Sequence, residues 1–214
     1  PIHHYPLLHA PERLRRKQEL YVELGIRKVQ ERPDDPQAHA ELGHQYAELG
    51  EYARALGAYR EALRRDPRNA TVLRDMGAVL YLAGHREEAR RALELAVRVD
   101  PGATEAWRNL GVVHSALGDW TRATECFERA LDQDPGWIEG IRSLSVALEA
   151  CGRREEACAA ARRAFEAAPY DPACIDNFVG QMIRLGRRDA LRSLLEGAAE
   201  SPYLRETLDR LDTM

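Results

Sequence analysis

At 214 residues, with 44% hydrophobic and 31% charged residues, the chain has the composition of a folded, water-soluble protein, and no apolar run approaches the roughly 20 residues that a membrane helix needs. Its formal net charge of −4 supplies no overall attraction for nucleic acid or an anionic membrane, which excludes a bulk polyanion-binding role. The basic residues are almost all arginine, Lys17 and Lys28 being the only lysines.

In chain order, residues 1–11 (PIHHYPLLHAP) fit no regular pattern and are expected to be a linker or the end of an upstream domain. His3, His4 and His9 lack a nearby acidic partner, so no metal site is expected. Residues 12–35 place Leu14, Leu20, Leu24 and Val29 among many charges, the pattern of an amphipathic capping helix. From residue 36 the sequence repeats. Gly43, Gly77 and Gly111 form one series, Ala55, Ala89, Ala123 and Ala157 a second, and Pro67, Pro101, Pro135 and Pro169 a third, all with one period of 34 residues. Gly50, Gly84, Gly118, Gly152 and Gly186 mark a turn at the same offset in each unit. Five units follow: 36–69, 70–103, 104–137, 138–171 and a degenerate 172–200. Ser201-Pro202, followed by Leu204, Leu208 and Leu211 opposite charged residues, predicts a closing helix over 201–214.

Apolar residues recur at helical spacing on both sides of each turn glycine, so each unit is a helix, a turn and a helix. Gly43, Gly77 and Gly111 on first helices, and Ala55, Ala89, Ala123 and Ala157 on second helices, remove bulk where the two cross, and Phe127 fills the space beyond. A mid-helix glycine costs about 1 kcal/mol, so a periodic one implies close backbone approach. On that ground Gly111→Leu is expected to overpack its crossing. Asp-Pro pairs at 66–67, 100–101 and 134–135 end second helices, because proline lacks an N–H and restricts the residue before it.

In unit 104–137 the pattern reads Trp107, Leu110, Gly111, His114, Ala123, Phe127, Ala130, Pro135, and in unit 36–69 it reads His39, Leu42, Gly43, Tyr46, Ala55, Tyr59, Ala62, Pro67. It resembles the tetratricopeptide repeat, over about four fifths of the chain. The resemblance implies an all-α fold, a right-handed superhelical solenoid of about five repeats closed by capping helices, that binds protein or peptide partners on a concave face lined by first helices. Departures grow toward the C-terminus, where Ser145 and Val179 replace the packing glycine and Leu191 the packing alanine; the last unit is expected to pack more loosely or at another angle. A second resemblance concerns the stretch from Pro1 to Leu24. With His3-His4-Tyr5, Lys17, Tyr21 and Leu24 ahead of a repeat that starts at Pro36, it looks like the seam between a bacterial family-2 glycosyltransferase domain and a tetratricopeptide tail.

No GxSxG, GxGxxG, P-loop or HExxH motif is present, so the chain is read as non-catalytic, with no cofactor and no metal. Cys126, Cys151, Cys158 and Cys174 form no CxxC pair and read as reduced thiols of a cytoplasmic protein, with a monomer favoured. On first helices, Arg74, Arg108 and Arg142 recur with the repeat, with Asp176 in the fifth unit. Glu41, Asp75, Asn109, Ser143 and Asn177 form the neighbouring row, and His44 and Tyr81 belong to the same candidate groove. Aligned guanidiniums grip carboxylates bidentately, and Asn109 and Asn177 can hold a peptide backbone, so an acidic or C-terminal peptide is the favoured partner. The alternative is that each arginine pairs with a nearby acid such as Glu105, Glu139 or Asp75. A co-chaperone-like carboxylate clamp is a further reading, in which Arg74 and Asn109 match but Ala78, Glu139 and Ser143 stand at other required places.

Overall fold

The computed structural model describes residues 10–196, together with residues 203, 205–207 and 209. Among the described residues it contains eleven α-helices in tandem and no strand: α1 Ala10–Glu31, α2 Pro36–Glu48, α3 Tyr52–Arg65, α4 Ala70–Leu82, α5 Arg86–Val99, α6 Thr104–Ala116, α7 Trp120–Gln133, α8 Ile138–Ala150, α9 Arg154–Ala167, α10 Pro172–Arg184 and α11 Arg188–Glu196. The all-α repeat architecture expected from the sequence is the one observed. Tyr203, Arg205, Glu206, Thr207 and Asp209 are also helical. The rest of the closing segment expected over 201–214, and the whole of 1–9 including His3, His4 and His9, lie outside the described residues.

Local chemistry sets where these helices start. Asp35, Asn69 and Asp171 occupy the same repeat position, and each side chain accepts a hydrogen bond from a first-turn amide: Gln37 at 2.9 Å, Val72 at 3.1 Å and Cys174 at 3.3 Å. This satisfies one of the donors that every helix start leaves open. Pro36 and Pro172 follow directly, where the missing N–H costs nothing. α1 begins at Ala10, ahead of the capping helix expected from residue 12, because Pro11 is tolerated in a first turn.

First helices end in one recurrent device. The five turn glycines all have positive φ, from 70° to 86°, a region where a side chain is strained. At the first of them, Gly50 N–H donates to Ala47 O (3.0 Å) and Glu51 N–H to Tyr46 O (2.9 Å). The same pair of bonds recurs at 84–85, 118–119, 152–153 and 186–187, so the chain reverses in the same way each time.

The chain divides into two compact units, residues 1–113 and residues 114–214. In the first, α1 packs on α2, α2 on α3, α3 on α4 and α4 on α5, and the first helices α2 and α4 also touch. Its core includes Leu42, Tyr46, Tyr59, Leu73, Leu80 and Leu93. Gly43 and Gly77 are both buried. A Cβ on Gly43 would stand 2.7 Å from the ring of buried Tyr59, and one on Gly77 would stand 2.6 Å from Cγ of fully buried Leu93. Ala55 and Ala89 are fully buried on the second helices.

In the second unit, α7 packs on α8, α8 on α9, α9 on α10 and α10 on α11, and the first helices α8 and α10 touch. Ala123, Phe127 and Ala147 make one cluster, with Trp137 packed against it and tilted to Phe127 at 6.1 Å. A second cluster joins Cys158, Ala161, Ile175, Phe178, Leu191 and Leu195, with Phe165 stacked on Phe178 at 5.2 Å. Leu191, in the place of the packing alanine, is fully buried there, and Val179, in the place of glycine, is partly buried against the same cluster. Ser145 replaces glycine in a different way. Its hydroxyl is fully buried, 2.8 Å from the carbonyl of Ala157 and 3.1 Å from Oδ1 of Asn177.

Candidate functional site

Because first helices neighbour first helices within each unit, their outward residues share a face. In the first unit this face carries His44 on α2, Arg74 and Tyr81 on α4, and Arg108 and Asn109 on α6. Arg74 grips Asp75 Oδ1 through Nε (2.9 Å) and Nη2 (2.6 Å). Arg108 donates from Nη1 to Glu105 at 2.8 Å. His44 lies 3.4 Å from Glu48, an ion pair when the imidazole is protonated. Tyr81 and Asn109 are half-buried. Between the starts of α4 and α6 lies a polar recess of about 280 Å³, lined by Thr71 and Arg74 from one helix and by Asp100, Thr104 and Glu105 from the other side.

In the second unit, Arg142 Nη1 is 3.8 Å from Asp171, the cap of α10, instead of from Glu139. Asn177 turns toward its own scaffold: Nδ2 donates to the Arg142 carbonyl at 3.3 Å and Oδ1 meets Ser145. It joins α8 to α10 through hydrogen bonds to both backbone and side chain. Asp176, the acid that stands in the arginine series, accepts from the Tyr203 hydroxyl, which is 2.8 Å from each of its oxygens.

The structure adds residues to this face that the repeat pattern did not single out. Glu149 is held by Gln181 Nε2 at 2.7 Å and by Arg184 Nε at 2.7 Å, and Gln181 is almost completely buried. Leu82, Val112 and Val146 are large apolar side chains left exposed on first helices. A signal existed for two of them, since Val112 and Val146 stand 34 residues apart at the position that follows the packing residue.

Two buried thiols, Cys158 and Cys174, are held in their protonated form. Burial pushes the Cys174 thiol up to about 12, with the hydrogen bond to Asp171 and its charge adding to the effect, and burial likewise raises Cys158. Both stay protonated at neutral pH, whereas thiol chemistry requires the thiolate. Among the described residues no group of three or more His, Cys, Asp or Glu is placed to hold a metal ion, and no helix is long and apolar enough to cross a membrane.

Stacked helix pairs, with small residues buried between most of them, define a helical-repeat architecture. Two family models for tetratricopeptide repeats match, one over residues 78–165 and one over 43–84. Together the two matches span residues 43–165, which are built of tetratricopeptide repeats. No curated protein matches it. Among solved structures, it is similar to YrrB, described as a TPR protein with an unusual peptide-binding site, at 20% identity and a TM-score of 0.74, over 87% of this chain and 98% of that one. It is similar to MamA at 21% identity and a TM-score of 0.68, over 76% of this chain and 95% of that one. It is also similar to PilF of Pseudomonas aeruginosa, at 21% identity and a TM-score of 0.66, over 92% and 99%. At these identities the likeness is one of fold.

Proposed function

We propose that the protein is a non-catalytic scaffold that captures polypeptide on the first-helix face of each unit, with Arg74 and Arg108 the principal contacts of the first unit and Arg142 that of the second. The observation that carries this reading is the state of those arginines. They are spaced by the repeat on first helices, and each lies within 4 Å of a partly exposed acid: Asp75, Glu105 or Asp171. The acids of the Arg108 and Arg142 pairs are open to solvent and such pairs contribute about 0–1 kcal/mol, whereas Arg74–Asp75 is half-buried and held more firmly, so a partner's carboxylate replaces the resident acid most readily at Arg108 and Arg142. A bidentate guanidinium contact with a desolvated carboxylate is the stronger interaction. An acidic segment or the free carboxyl terminus of a polypeptide is therefore the partner this row selects. The recess between Arg74 and Glu105, and the exposed Leu82 and Val112 nearby in sequence, offer room for flanking side groups. The stretch from Pro1 to Leu24 resembles the seam between a bacterial family-2 glycosyltransferase domain and a tetratricopeptide tail, and in that setting the first helices would hold the acceptor.

The test is retention of an array of C-terminal peptides, each presented with a free carboxylate and as the amide. The expected outcome is preference for the free carboxylate, reduced about tenfold or more in the triple variant Arg74→Ala, Arg108→Ala, Arg142→Ala, with helical circular dichroism unchanged. Equal retention by the triple variant would sink the assignment.

A further inference from the structure

The second helices create a different surface. In the unit of residues 1–113, a groove of about 550 Å³ is lined by α3 and α5, with α4 between them. Leu73, Met76 and Leu80 of α4 line it, joined by Leu63 of α3 and Leu95 of α5. Leu73 and Leu80 are buried, and Leu95 is 38% exposed. Arg60 of α3 and Glu88 and Arg91 of α5 also line the groove, all three are exposed, and Glu88 stands 3.5 Å from His85. Arg64, a further lining residue, is paired with Glu61 at 2.5 Å. Among the described residues, Arg60 and Arg91 make no ion pair and no side-chain hydrogen bond.

The repeat explains the space. At the fourth position of unit 36–69, His39 sets Nε2 2.8 Å from the Pro33 carbonyl, and at the same position of unit 104–137, Trp107 donates from Nε1 to Pro101 O at 2.9 Å. In both cases a ring is anchored to a proline six residues earlier. Unit 70–103 has Leu73 there, which has neither the ring's bulk nor its donor, and Leu73 lines the groove. The second unit provides the contrast. A groove of about 350 Å³ is lined there by residues of α9, α10 and α11, but its arginines are neutralised, Arg162 by Glu166 at 2.8 Å and Arg187 by Glu155 at 2.8 Å.

An apolar floor of ligand-pocket size, with the two unpaired guanidiniums of Arg60 and Arg91 on its rim against the single carboxylate of Glu88, complements one kind of surface. We infer that the groove of α3, α4 and α5 is a second docking site, and that it takes an acidic segment of a partner protein bearing one bulky apolar side chain. The apolar side chain seats on Leu73, Met76 and Leu80, and carboxylates on either side of it are gripped by Arg60 and Arg91. This site is separate from the first-helix face and shares no residue with the arginine row.

The probe is a fluorescent peptide of about twelve residues, Asp and Glu around a central Leu-Phe, titrated against the full-length protein by anisotropy. Controls replace its acids with lysine, or its Leu-Phe with alanine. The expected result is binding of the parent peptide alone, weakened about tenfold or more by Arg60→Glu with Arg91→Glu, and also by Leu73→Trp, which returns a ring to the floor. The triple alanine variant of the first-helix arginines is expected to bind as the wild type does, which separates this site from the one proposed above. The inference is overturned if the parent peptide fails to bind at about 1 mM, if the charge reversal leaves its affinity unchanged, or if binding is lost only in the triple alanine variant.

Discussion

The repeats at residues 36–103 and those at 138–196 meet the same packing requirement by different means. In the first set, the crossing of helix on helix is made by absence: Gly43 and Gly77 carry no Cβ, and the buried Tyr59 ring and Leu93 side chain occupy the vacated space. In the second set, Ser145 stands where glycine would, and its hydroxyl is used, reaching the carbonyl of Ala157 and Oδ1 of Asn177. A steric solution tolerates no added atom, while a polar one tolerates an added group provided that group finds a partner. The difference shows that a repeat position specifies a close approach and leaves its chemistry open.

The largest test of this contrast is at Gly77. Gly77→Leu should destabilise the protein by upwards of about 3 kcal/mol, because a well-packed crossing has no room to yield. Gly77→Ala gains about 1 kcal/mol of helix propensity but meets Leu93, and overpacking of that sort costs about 1–3 kcal/mol. Adding Leu93→Ala should recover part of that penalty, and urea denaturation of the double-mutant cycle measures the recovery. Strict additivity of the two changes would show that Leu93 is not what Gly77 makes room for.

Ser145→Ala is expected to cost about 1 kcal/mol, since it removes the one O–H shared between the Ala157 carbonyl and Asn177 Oδ1 while keeping the volume nearly constant. Amide exchange should place that loss on α8 and α10 and leave α4 and α5 unaltered. Uniform loss along the molecule would mean that Ser145 acts globally instead of locally.

The smallest effect concerns the caps. Asn69 and Asp171 hold equivalent positions at the starts of α4 and α10, but only the carboxylate titrates. Asp171 has its pKa lowered by its hydrogen bond with Cys174, by the amides of Ala173 and Cys174, and by the charge of Arg142. A folded-state pKa below the unfolded one contributes stability that is fully present above about pH 4 and is lost as pH falls through the lowered value. Acidification should therefore speed amide exchange in the first turn of α10 and spare that of α4. Asp171→Asn, which keeps the acceptor, should abolish the pH dependence, while Asp171→Ala costs about 1 kcal/mol at neutral pH.

Much of this molecule was legible in its sequence. The period of 34 residues, the turn glycines and the small residues Gly43, Ala55, Gly77 and Ala89 are local matters of backbone conformation and side-chain size, and they recur often enough to be read without a structure. That Arg74, Arg108 and Arg142 stand on first helices was legible, because first-helix positions are fixed by helical spacing. What each arginine touches was legible in part: Arg74 and Arg108 meet Asp75 and Glu105, acids of their own helices named from the sequence, while Arg142 meets Asp171 at the start of the following first helix. Asn177, placed in the binding row by its position, is held by Arg142 O and Ser145 through bonds that span more than 30 residues.

By itself, then, the sequence determined the fold and the register of its repeats, because a helix pair is specified by local steric and capping rules that each unit restates. The tertiary structure alone decided which charges are already neutralised and where space is left over. Charge pairing depends on distances between side chains of neighbouring helices, and the groove beneath Arg60 and Arg91 depends on what Leu73 fails to fill between α3 and α5.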